Sequence, residues 1–467
     1  MLFKHFYDED LAQGSYLIGC QKSGEAIVVD AWRNPEFYVQ EAEREGVKII
    51  AVTETHIHAD YLSGSRDLAA QTGAKLYLSD EGDADWKYGF EGIKLYGNEE
   101  IKIGNVIMKA VHTPGHTPEH LSFLVTDGVA ATEPGFYLTG DFVFVGDIGR
   151  PDLLDEAAGG VDTRFAGAKQ LFASLHDKFL NLPAYIQVWP GHGAGSACGK
   201  ALGAVASTTV GYECKFSWWA PFVENNDFEG FTKALLEGQP EVPLYFGRMK
   251  RQNKVGPALL GHRPELKEFF AKDLEGKINK EYIFIDTRGR ADYLKAAAPG
   301  SLHIPAGKRF ITYASYILEP ETETRPIVLL ASNQEEAKKL GARLAFVGID
   351  RVIGFVKSLA GILLEAVPTI SIKAFEKLRK PFVLDVRTAN EYNAGHIDTA
   401  KQLHAGRMMY KLSELPKNEP IITYCQSGAR ATVAISALRA AGYNAVELGG
   451  SYAAYENAYK GIVTVKG

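Results

Sequence analysis

Four short loops within the first 192 residues, each rich in histidine, aspartate or glycine, most constrain what this chain can fold into. The loops span residues 55–61, 113–116, 139–141 and 190–192. Each follows a short apolar run that predicts a strand, and loops at strand ends are where a sheet presents its reactive side chains. Histidine and aspartate are the ligands that hold catalytic divalent metals. A single His-x-His is a weak signal, but four such loops in this order predict a metal site.

The order and spacing of the loops resemble the metallo-β-lactamase superfamily, in which a His-x-His-x-Asp-His motif precedes three further ligand loops. In the dinuclear members, the first metal takes the residues that match His56, His58, His116 and Asp141. The second takes those that match Asp60 and His192, the shared aspartate and the last histidine of the motif. This chain has Tyr61 there, and a neutral phenol with a pKa of about 10 is a poor ligand for a hard divalent ion. The resemblance implies an αββα sandwich holding one metal rather than two.

Within the superfamily, the pattern resembles the persulfide dioxygenases, which bind one ferrous iron with two histidines and one aspartate. The resemblance implies one Fe(II) per chain on His56, His116 and Asp141, a facial triad with three open positions, with zinc as the alternative metal. The other polar loop residues would orient these ligands and tune the metal: His58, Asp60, Tyr61 and His192. In that family the residue matching Arg150 is implicated in holding the thiol carrier of the substrate. An arginine fork suits carboxylates and phosphates, although a surface salt bridge is the alternative role.

A second reactive residue, Cys425, lies on a tight turn between a predicted strand at 420–423 and an alanine-rich helix at 431–441. The backbone N–H groups and the positive dipole end of such a helix favour the thiolate, as does Arg430, which closes the loop. Only the thiolate attacks a sulfane sulfur, so the pattern predicts a sulfur carrier rather than an inert buried thiol. The Cys-x4-Arg loop and the upstream stretch 382–397 resemble the rhodanese family of sulfurtransferases.

An internal repeat precedes this segment, since residues 283–305 and 326–330 echo the stretches 383–397 and 420–424. Where the later copy has Cys425, the earlier copy has Ala331. No thiol and no arginine close the earlier loop, and Glu335 and Glu336 would repel a persulfide anion. The repeat therefore predicts a catalytically inactive rhodanese-like domain that serves as a spacer or docking element.

The length of 467 residues fits about three domains. We predict a multidomain chain: a metallo-β-lactamase sandwich at 1–245, an inactive rhodanese-like α/β domain at 256–365 and a catalytic rhodanese domain at 366–467. The basic run at 248–254 is interpreted as a solvated linker between the first two domains.

Composition narrows the partners and the compartment. A net charge of −6 provides no electrostatic footprint for nucleic acid or an anionic membrane. No apolar run approaches the roughly 20 residues of a membrane span, and no signal peptide is visible. Four cysteines in a chain of this length do not form a disulfide framework, which predicts a reducing cytoplasm. We expect a cytoplasmic homo-oligomer.

Another thiol, Cys198, lies six residues after His192 in a glycine-rich turn, near the expected mouth of the metal site. Similar fusions carry a cysteine in this turn. Participation in sulfur chemistry and simple packing are both open for this residue.

Taken as a whole, the chain resembles bacterial persulfide dioxygenase–rhodanese fusions. The resemblance implies oxidation of a low-molecular-weight thiol persulfide, of glutathione, coenzyme A or a similar thiol, by O2 and water to thiol and sulfite. Cys425 would carry sulfane sulfur to or from sulfite and thiosulfate. One alternative is a binuclear zinc thioesterase of the glyoxalase II type, since His58, Asp60 and His192 are all present. The other is a non-enzymatic sulfur-carrier scaffold whose metal only holds the fold.

Overall fold

A computed structural model describes residues 1–153, 163–261 and 265–459, and the chain divides into two compact units, 1–261 and 262–467. The N-terminal unit is built on two six-stranded sheets. The first sheet contains, in order across it, β1 (Leu2–Asp8), β2 (Gln13–Cys20), β3 (Glu25–Val29), β4 (Lys48–Thr53), β5 (Lys75–Ser79) and β6 (Ile93–Leu95). The second contains β7 (Glu100–Ile103), β8 (Val106–His112), β9 (Leu121–Asp127), β10 (Phe136–Gly140), β11 (Gln187–Pro190) and β12 (Thr208–Thr209).

Helices cover the outer faces of both sheets. They are α1 (Pro35–Arg44), α2 (Ser65–Thr72), α3 (Thr163–Ser174), α4 (Val210–Phe216), α5 (Ala220–Glu224), α6 (Phe228–Leu236) and α7 (Tyr245–Val255). A short 3₁₀ helix at Ala84–Trp86 and a π-helical turn at Leu175–Phe179 complete the unit. Helices α1 and α2 pack against each other and against β4, whereas α3 and α5 pack over the second sheet.

One apolar core lies between the two sheets and a second lies under the helices. The inner core combines Ile18 and Ile27 of the first sheet with Met108 and Phe123 of the second. Along β8 the buried residues alternate with less buried ones, which is the period of a strand with one face in a core. The outer core includes Trp219, which is fully buried. This helix–sheet–sheet–helix order confirms the αββα sandwich predicted from the sequence.

The strands place the four predicted ligand loops at one end of the sandwich. β10 and β11 are parallel neighbours, with Phe136 opposite Gln187, so the loops that follow them leave from the same edge. β3 and β4 are also parallel, and the loop at 55–61 follows β4. The fold therefore gathers loops that are far apart in sequence, because the carboxyl ends of parallel strands share an edge.

Helix α7 overturns the interpretation of the basic run 248–254 as a solvated linker. Arg248, Lys250 and Asn253 on this helix are all buried. The Lys250 ammonium lies 3.8 Å from the centre of the Trp86 ring. The basic composition of this run wrongly indicated solvent exposure. Long basic side chains can bury their apolar stems as long as the charged group at the tip has a partner.

Asn253 ties this helix to the first ligand loop. Its Nδ2 donates to the carbonyl oxygens of His58 at 2.8 Å and Tyr61 at 2.7 Å. Its Oδ1 accepts from the backbone N of Ser63 at 2.9 Å. Three backbone groups that have no partner in a regular element are satisfied by one buried amide, which fixes the path of the loop.

The C-terminal unit contains two five-stranded parallel sheets. The sheet of the middle module comprises β13 (Lys267–Glu268), β14 (Ile283–Asp286), β15 (Leu302–His303), β16 (Ile327–Leu330) and β17 (Val352–Val356). That of the C-terminal module comprises β18 (Thr369–Ile370), β19 (Phe382–Asp385), β20 (Ala400–Gln402), β21 (Ile421–Tyr424) and β22 (Ala445–Leu448). The strand order is β13-β17-β16-β14-β15 in one and β18-β22-β21-β19-β20 in the other, so the two topologies are identical.

Helices accompany both sheets. The middle module has α8 (Arg290–Lys295), α9 (Phe310–Ile317) and α10 (Gln334–Ala345). The C-terminal module has α11 (Ile372–Phe375), α12 (Ala389–Ala394), α13 (Ala405–Met408), α14 (Ala429–Ala440) and α15 (Ser451–Ala458). Short 3₁₀ helices occur at Ala271–Leu274 and Met409–Glu414.

The carboxyl ends of β14 and β19 also carry the same ion pair. Arg288 pairs with Asp286 at 2.6 Å in the middle module, and Arg387 pairs with Asp385 at 2.7 Å in the C-terminal module. The shared topology and this shared ion pair confirm two rhodanese-like α/β modules. Within the described ranges, no helix combines the length and the apolar character needed to cross a membrane.

Replacing Asn253 by alanine should destabilise the N-terminal unit by about 3 kcal/mol, because three buried backbone groups would lose their partner. Urea unfolding of the full chain, followed by the tryptophan fluorescence of this unit, measures the change. Val255→Ala, on the same helix at an exposed position, is the matched control and should leave the unfolding midpoint unchanged. Equal midpoints for N253A and V255A would show that the amide is dispensable.

Candidate metal centre and sulfur-transfer site

The three predicted ligands come together at the edge where the loops meet. The ligand atoms of His56, His116 and Asp141 all lie within 4.8 Å of one another, and all three residues are buried. His116 Nε2 is 3.4 Å and His56 Nε2 is 3.9 Å from Asp141 Oδ2. Two imidazoles and one carboxylate at this spacing form the 2-His-1-carboxylate arrangement. The ligand assignment itself stays a prediction.

Hydrogen bonds at the far side of each ring set the histidine tautomers. His56 Nδ1 donates to Thr55 Oγ1 at 2.9 Å, and His116 Nδ1 donates to the carbonyl oxygen of Arg150 at 3.0 Å. Each Nε2 therefore keeps its lone pair for a metal. Burial lowers the pKa of His116 to about 4 and also lowers that of His56, so both rings are neutral near pH 7.

The carboxylate of Asp141 provides the test of fit. Its Oδ1 accepts a hydrogen bond from His192 Nδ1 at 2.7 Å. Its Oδ2 is buried and has no hydrogen-bond partner among the described residues. A buried carboxylate oxygen without a donor is costly unless a cation completes it, and the two free imidazole nitrogens face the same atom. These residues fit a divalent metal.

Asp30, at the end of β3, is a site residue that the sequence analysis missed. Its Oδ1 accepts from the backbone N of Thr55 at 2.7 Å and from His58 Nε2 at 3.0 Å, and its Oδ2 accepts from Thr55 Oγ1. Although burial opposes the shift, Asp30 raises the pKa of His58 to about 9. Asp30 thus orients the ligand loop from below. Its signal was a carboxylate directly after the apolar run 26–29, the same strand-end pattern as the ligand loops.

A second cluster lies next to the first. His192 bridges two carboxylates, since its Nε2 is 3.0 Å from Asp60 Oδ2 while its Nδ1 contacts Asp141. Ligand atoms of Asp60, His192 and Cys198 lie within 4.8 Å of one another. Burial raises the pKa of Cys198 to about 12, so it is a neutral thiol near pH 7. Tyr61 is buried with its ring 4.6 Å from that of His58, and its hydroxyl has no hydrogen-bond partner among the described residues.

Arg150 is buried and already bound by the protein. Its Nε donates to Asp152 at 2.8 Å, and its Nη1 donates to the carbonyl oxygens of Ala197 at 3.1 Å and Pro240 at 2.7 Å. The residue therefore links the loop after Asp141 to two distant segments. Its predicted role in holding a substrate carrier stays a prediction.

Gly149, in the same loop, is glycine because of a close approach. A Cβ at this position would lie 1.9 Å from the carbonyl oxygen of Asp141 and 2.9 Å from His116 Cβ. The loop can therefore fold back against two predicted ligands only without a side chain here.

In the C-terminal module, Cys425 lies in the loop between β21 and α14 and is buried. The backbone N of Gly428 donates to its Sγ at 3.1 Å. Gly428 has a φ of +99°, which glycine adopts without strain, and this turn points the N–H at the sulfur. One backbone donor of the loop therefore faces the thiol, and the predicted sulfur-carrier role of Cys425 stays a prediction.

Arg430 is held by a carboxylate from the upstream motif. Its two terminal nitrogens donate to Glu391 at 2.6 and 2.7 Å, and Glu391 also forms a capping box with Thr388 at the start of α12. Although burial opposes the shift, Arg430 and Thr388 lower the pKa of Glu391 to about 2. The guanidinium that closes the Cys425 loop is thus fixed at its far end.

The middle module fills the equivalent loop with its own carboxylate. Ala331 stands where the other module has its cysteine, and the backbone N of Ser332 donates to Glu336 Oε2 at 2.7 Å. The Ser332 hydroxyl donates to the same oxygen, and both bonds lower the pKa of Glu336. Glu335 lies beside it in the first turn of α10. A donor that could face an added sulfur anion is therefore already occupied.

Two segments of the chain match models of known protein families. Residues 9–192 match the family model of the metallo-beta-lactamase superfamily, and residues 372–458 match that of the rhodanese-like domain. The chain is similar to a metallo-beta-lactamase of Staphylococcus aureus subsp. aureus COL known from a crystal structure, with 37% identity and a TM-score of 0.65. That similarity covers 76% of this chain and 99% of the other.

Two curated relatives are more distant. A hydroxyacylglutathione hydrolase of Nitrosococcus oceani is 28% identical over 179 residues, which are 38% of this chain and 61% of that protein. A mitochondrial persulfide dioxygenase of Bos taurus is 24% identical over 196 residues, 41% of this chain and 68% of that protein. The chain thus spans less than two thirds of the hydrolase.

The sandwich fold, the ligand loops and the match along nearly all of a solved relative show that the chain belongs to the metallo-beta-lactamase superfamily. It is an enzyme of that superfamily which carries a rhodanese domain toward its C-terminus. Membership implies a bound metal, in agreement with the cluster of His56, His116 and Asp141.

Gly149→Ala should reduce metal affinity by about ten- to a hundredfold, the usual effect of disturbing groups that orient metal ligands. The added methyl would push on the Asp141 backbone and the His116 side chain. Metal content per chain, measured after dialysis against a graded chelator, checks this. Gly135→Ala, where a Cβ meets nothing within 4 Å, should keep the wild-type content. The steric argument fails if the two variants retain the same amount of metal.

Proposed function

We propose that this chain is a persulfide dioxygenase fused to a sulfurtransferase, with one Fe(II) held by His56, His116 and Asp141. The observation that carries the proposal is the buried cluster of two free imidazole nitrogens and one unpartnered carboxylate oxygen. Three protein ligands leave coordination positions open, which suits a reaction between two bound reactants. The rhodanese domain on the same chain favours a sulfur substrate.

When bound, the ferrous ion would supply adjacent open positions for dioxygen and for the persulfide sulfur. In the overall reaction, a persulfide RSSH, O2 and water give RSH, sulfite and two protons. The sulfane sulfur loses four electrons and dioxygen gains them, so no further oxidant is needed. Glutathione, coenzyme A and similar thiols are the candidate carriers.

The residues around the triad hold its geometry. His192 hydrogen bonds to Asp141 Oδ1 and so directs Oδ2 at the two imidazoles. Arg150 positions His116 through its backbone carbonyl, while its guanidinium binds Asp152. An anionic carrier would compete with Asp152 for this guanidinium. The residue that recognises the substrate would then also be the residue that orients the proposed metal ligand His116.

Sulfur transfer is assigned to the C-terminal module. The Cys425 thiolate attacks the sulfane sulfur of RSSH, which releases RSH and leaves a persulfide on the enzyme. Sulfite then takes this sulfur as thiosulfate and regenerates the thiolate, and the reverse transfer uses the same steps. The Gly428 N–H, which faces Sγ, and Arg430 would stabilise the anionic persulfide. Both activities on one chain raise the effective concentration of the shared intermediate.

A binuclear zinc thioesterase of the glyoxalase II type is the second candidate function. The observation that favours it is the neighbouring cluster of Asp60, His192 and Cys198, which offers donors for a second metal. The similarity to a hydroxyacylglutathione hydrolase points the same way. Tyr61, at the position of the family's histidine ligand, weighs against it.

Substituting any one of His56, His116 or Asp141 by alanine should reduce persulfide-dependent oxygen uptake to background, because a facial triad has no spare protein ligand. An oxygen electrode with glutathione, coenzyme A and cysteine persulfides measures uptake, and sulfur transfer by Cys425 should persist. Metal analysis of anaerobically purified protein should find one iron per chain. Two zinc ions and no oxygen uptake would favour the thioesterase instead, and no uptake with a single metal would favour a sulfur-carrier scaffold.

Cys425→Ser should eliminate thiosulfate formation while sulfite still appears from persulfide and oxygen. A serine hydroxyl stays protonated near neutral pH and is a much weaker sulfur nucleophile. Mass spectrometry after persulfide treatment should locate the added sulfur on Cys425. Ala331→Cys in a Cys425→Ser chain should not restore transfer, because Glu336 already occupies that loop. Added sulfur found only on Cys198 would assign the carrier role to that residue.

A further inference from the structure

Helix α14, which begins directly after the Cys425 loop, is buried on all sides. Eight consecutive residues, from Ala431 to Leu438, are buried. A helix without a solvent face takes its position from everything packed around it. On one side α14 contacts β21 and β22 of its own module, and on another it contacts β15 and α8 of the middle module.

The middle module binds one stripe of α14 along its whole length. Arg290 Nε donates to Thr432 Oγ1 at 3.1 Å, and the backbone N of His303 donates to Ser436 Oγ at 2.9 Å. At the helix C-terminus, Asn279 Nδ2 donates to the Ala440 carbonyl oxygen at 2.7 Å. These contacts fall at four-residue intervals, so they lie on one helix face.

The first of these contacts reaches the Cys425 loop itself. The Arg290 guanidinium lies on Gly428, where a Cβ would be 2.5 Å from Arg290 Nε. Thr432 Oγ1, which accepts from Arg290, donates to the Gly428 carbonyl oxygen at 2.9 Å. The N–H of the same glycine faces Cys425 Sγ. Arg290 therefore contacts Gly428, and Gly428 in turn contacts the sulfur of Cys425.

Arg290 also compensates a buried charge. Glu447, on β22 and fully buried, accepts a hydrogen bond from Arg290 Nη2, and its second oxygen has no partner among the described residues. An ion pair of this kind is costly to break, because the remaining carboxylate would stay buried without a counter-charge. The arginine thus has two functions that an experiment can separate: neutralising Glu447 and fixing Gly428.

We propose that the middle module positions the catalytic loop of the sulfur-transfer site. In this proposal Arg290 holds the Cys425 loop in place through its contacts with Gly428 and Thr432. The inference rests on the proposed sulfur transfer at Cys425. It assigns a role to a module that has lost its own cysteine. Arg290 is a positioning residue, since it contacts neither substrate nor sulfur.

The test compares R290Q/E447Q with E447Q in the full chain. E447Q removes the buried charge but leaves Arg290 on Gly428, whereas the double variant also removes the guanidinium without stranding a carboxylate. Two readouts are taken: thiosulfate formation from glutathione persulfide and sulfite, and the rate at which iodoacetamide alkylates Cys425 between pH 5 and 10. Mass spectrometry of the Cys425 peptide follows the alkylation.

We expect the double variant to form thiosulfate roughly ten- to a hundredfold more slowly than E447Q, as for other small misplacements of a reacting group. Its alkylation profile should move to higher pH, because the Gly428 N–H no longer faces the sulfur. Arg351→Gln is the matched control. Arg351 directly precedes β17, which is separated from β15 by two strands of the middle sheet, so its loss should leave both readouts unchanged.

Rates and alkylation profiles within twofold of E447Q in a folded double variant would overturn the inference. Should that variant fail to fold, R290K and Thr432→Val decide the question. Both should shift the profile in the same direction, and wild-type profiles in both would overturn it. A wild-type chain that forms no thiosulfate would refute the proposed function, whereas the alkylation comparison would still decide whether Arg290 positions the loop.

Discussion

The N-terminal site depends on one constraint: the two carboxylate oxygens of Asp141 have different partners. One oxygen is bound by His192 and the other faces His56 and His116. A carboxylate that was free to rotate could hold neither geometry. The surrounding contacts serve this orientation, because the parallel pair β10–β11 delivers Asp141 and His192 from adjacent strands and Gly149 lets the next loop close behind them.

The ligand loops could be predicted because strand ends leave a direct trace in sequence, an apolar run followed by histidine or aspartate. Asp30 carried that trace and was passed over, since a lone carboxylate lacks the histidines that drew attention to the other loops. Asn253 carried none. Its partners lie about 190 residues earlier and are backbone groups, which have no sequence identity to match. The basic residues beside it then suggested solvent where the fold has a buried helix.

The two rhodanese-like modules show that one topology can carry two loops of different chemistry. Both keep the strand order and the Asp–Arg pair, which lies at the end of β14 in one module and of β19 in the other. They differ in what their loops hold, a thiol facing an N–H in one and an internal carboxylate in the other. The chemistry of each module therefore follows from the residues in its loop and not from the fold. The repeat was visible in the sequence, but the contacts of Arg290, Asn279 and His303 with α14 were not, because they depend on how the copies pack.

Because one amide of α7 completes the first ligand loop, the order in which the chain emerges during synthesis matters. The loop at 55–61 leaves the ribosome long before Asn253, so its backbone groups cannot be satisfied as soon as they are made. Contacts of such long sequence separation carry a loop-closure cost and are therefore slow to form. The first ligand loop therefore gains these three hydrogen bonds only once α7 has been synthesised, and a nascent chain that ends before Asn253 lacks them.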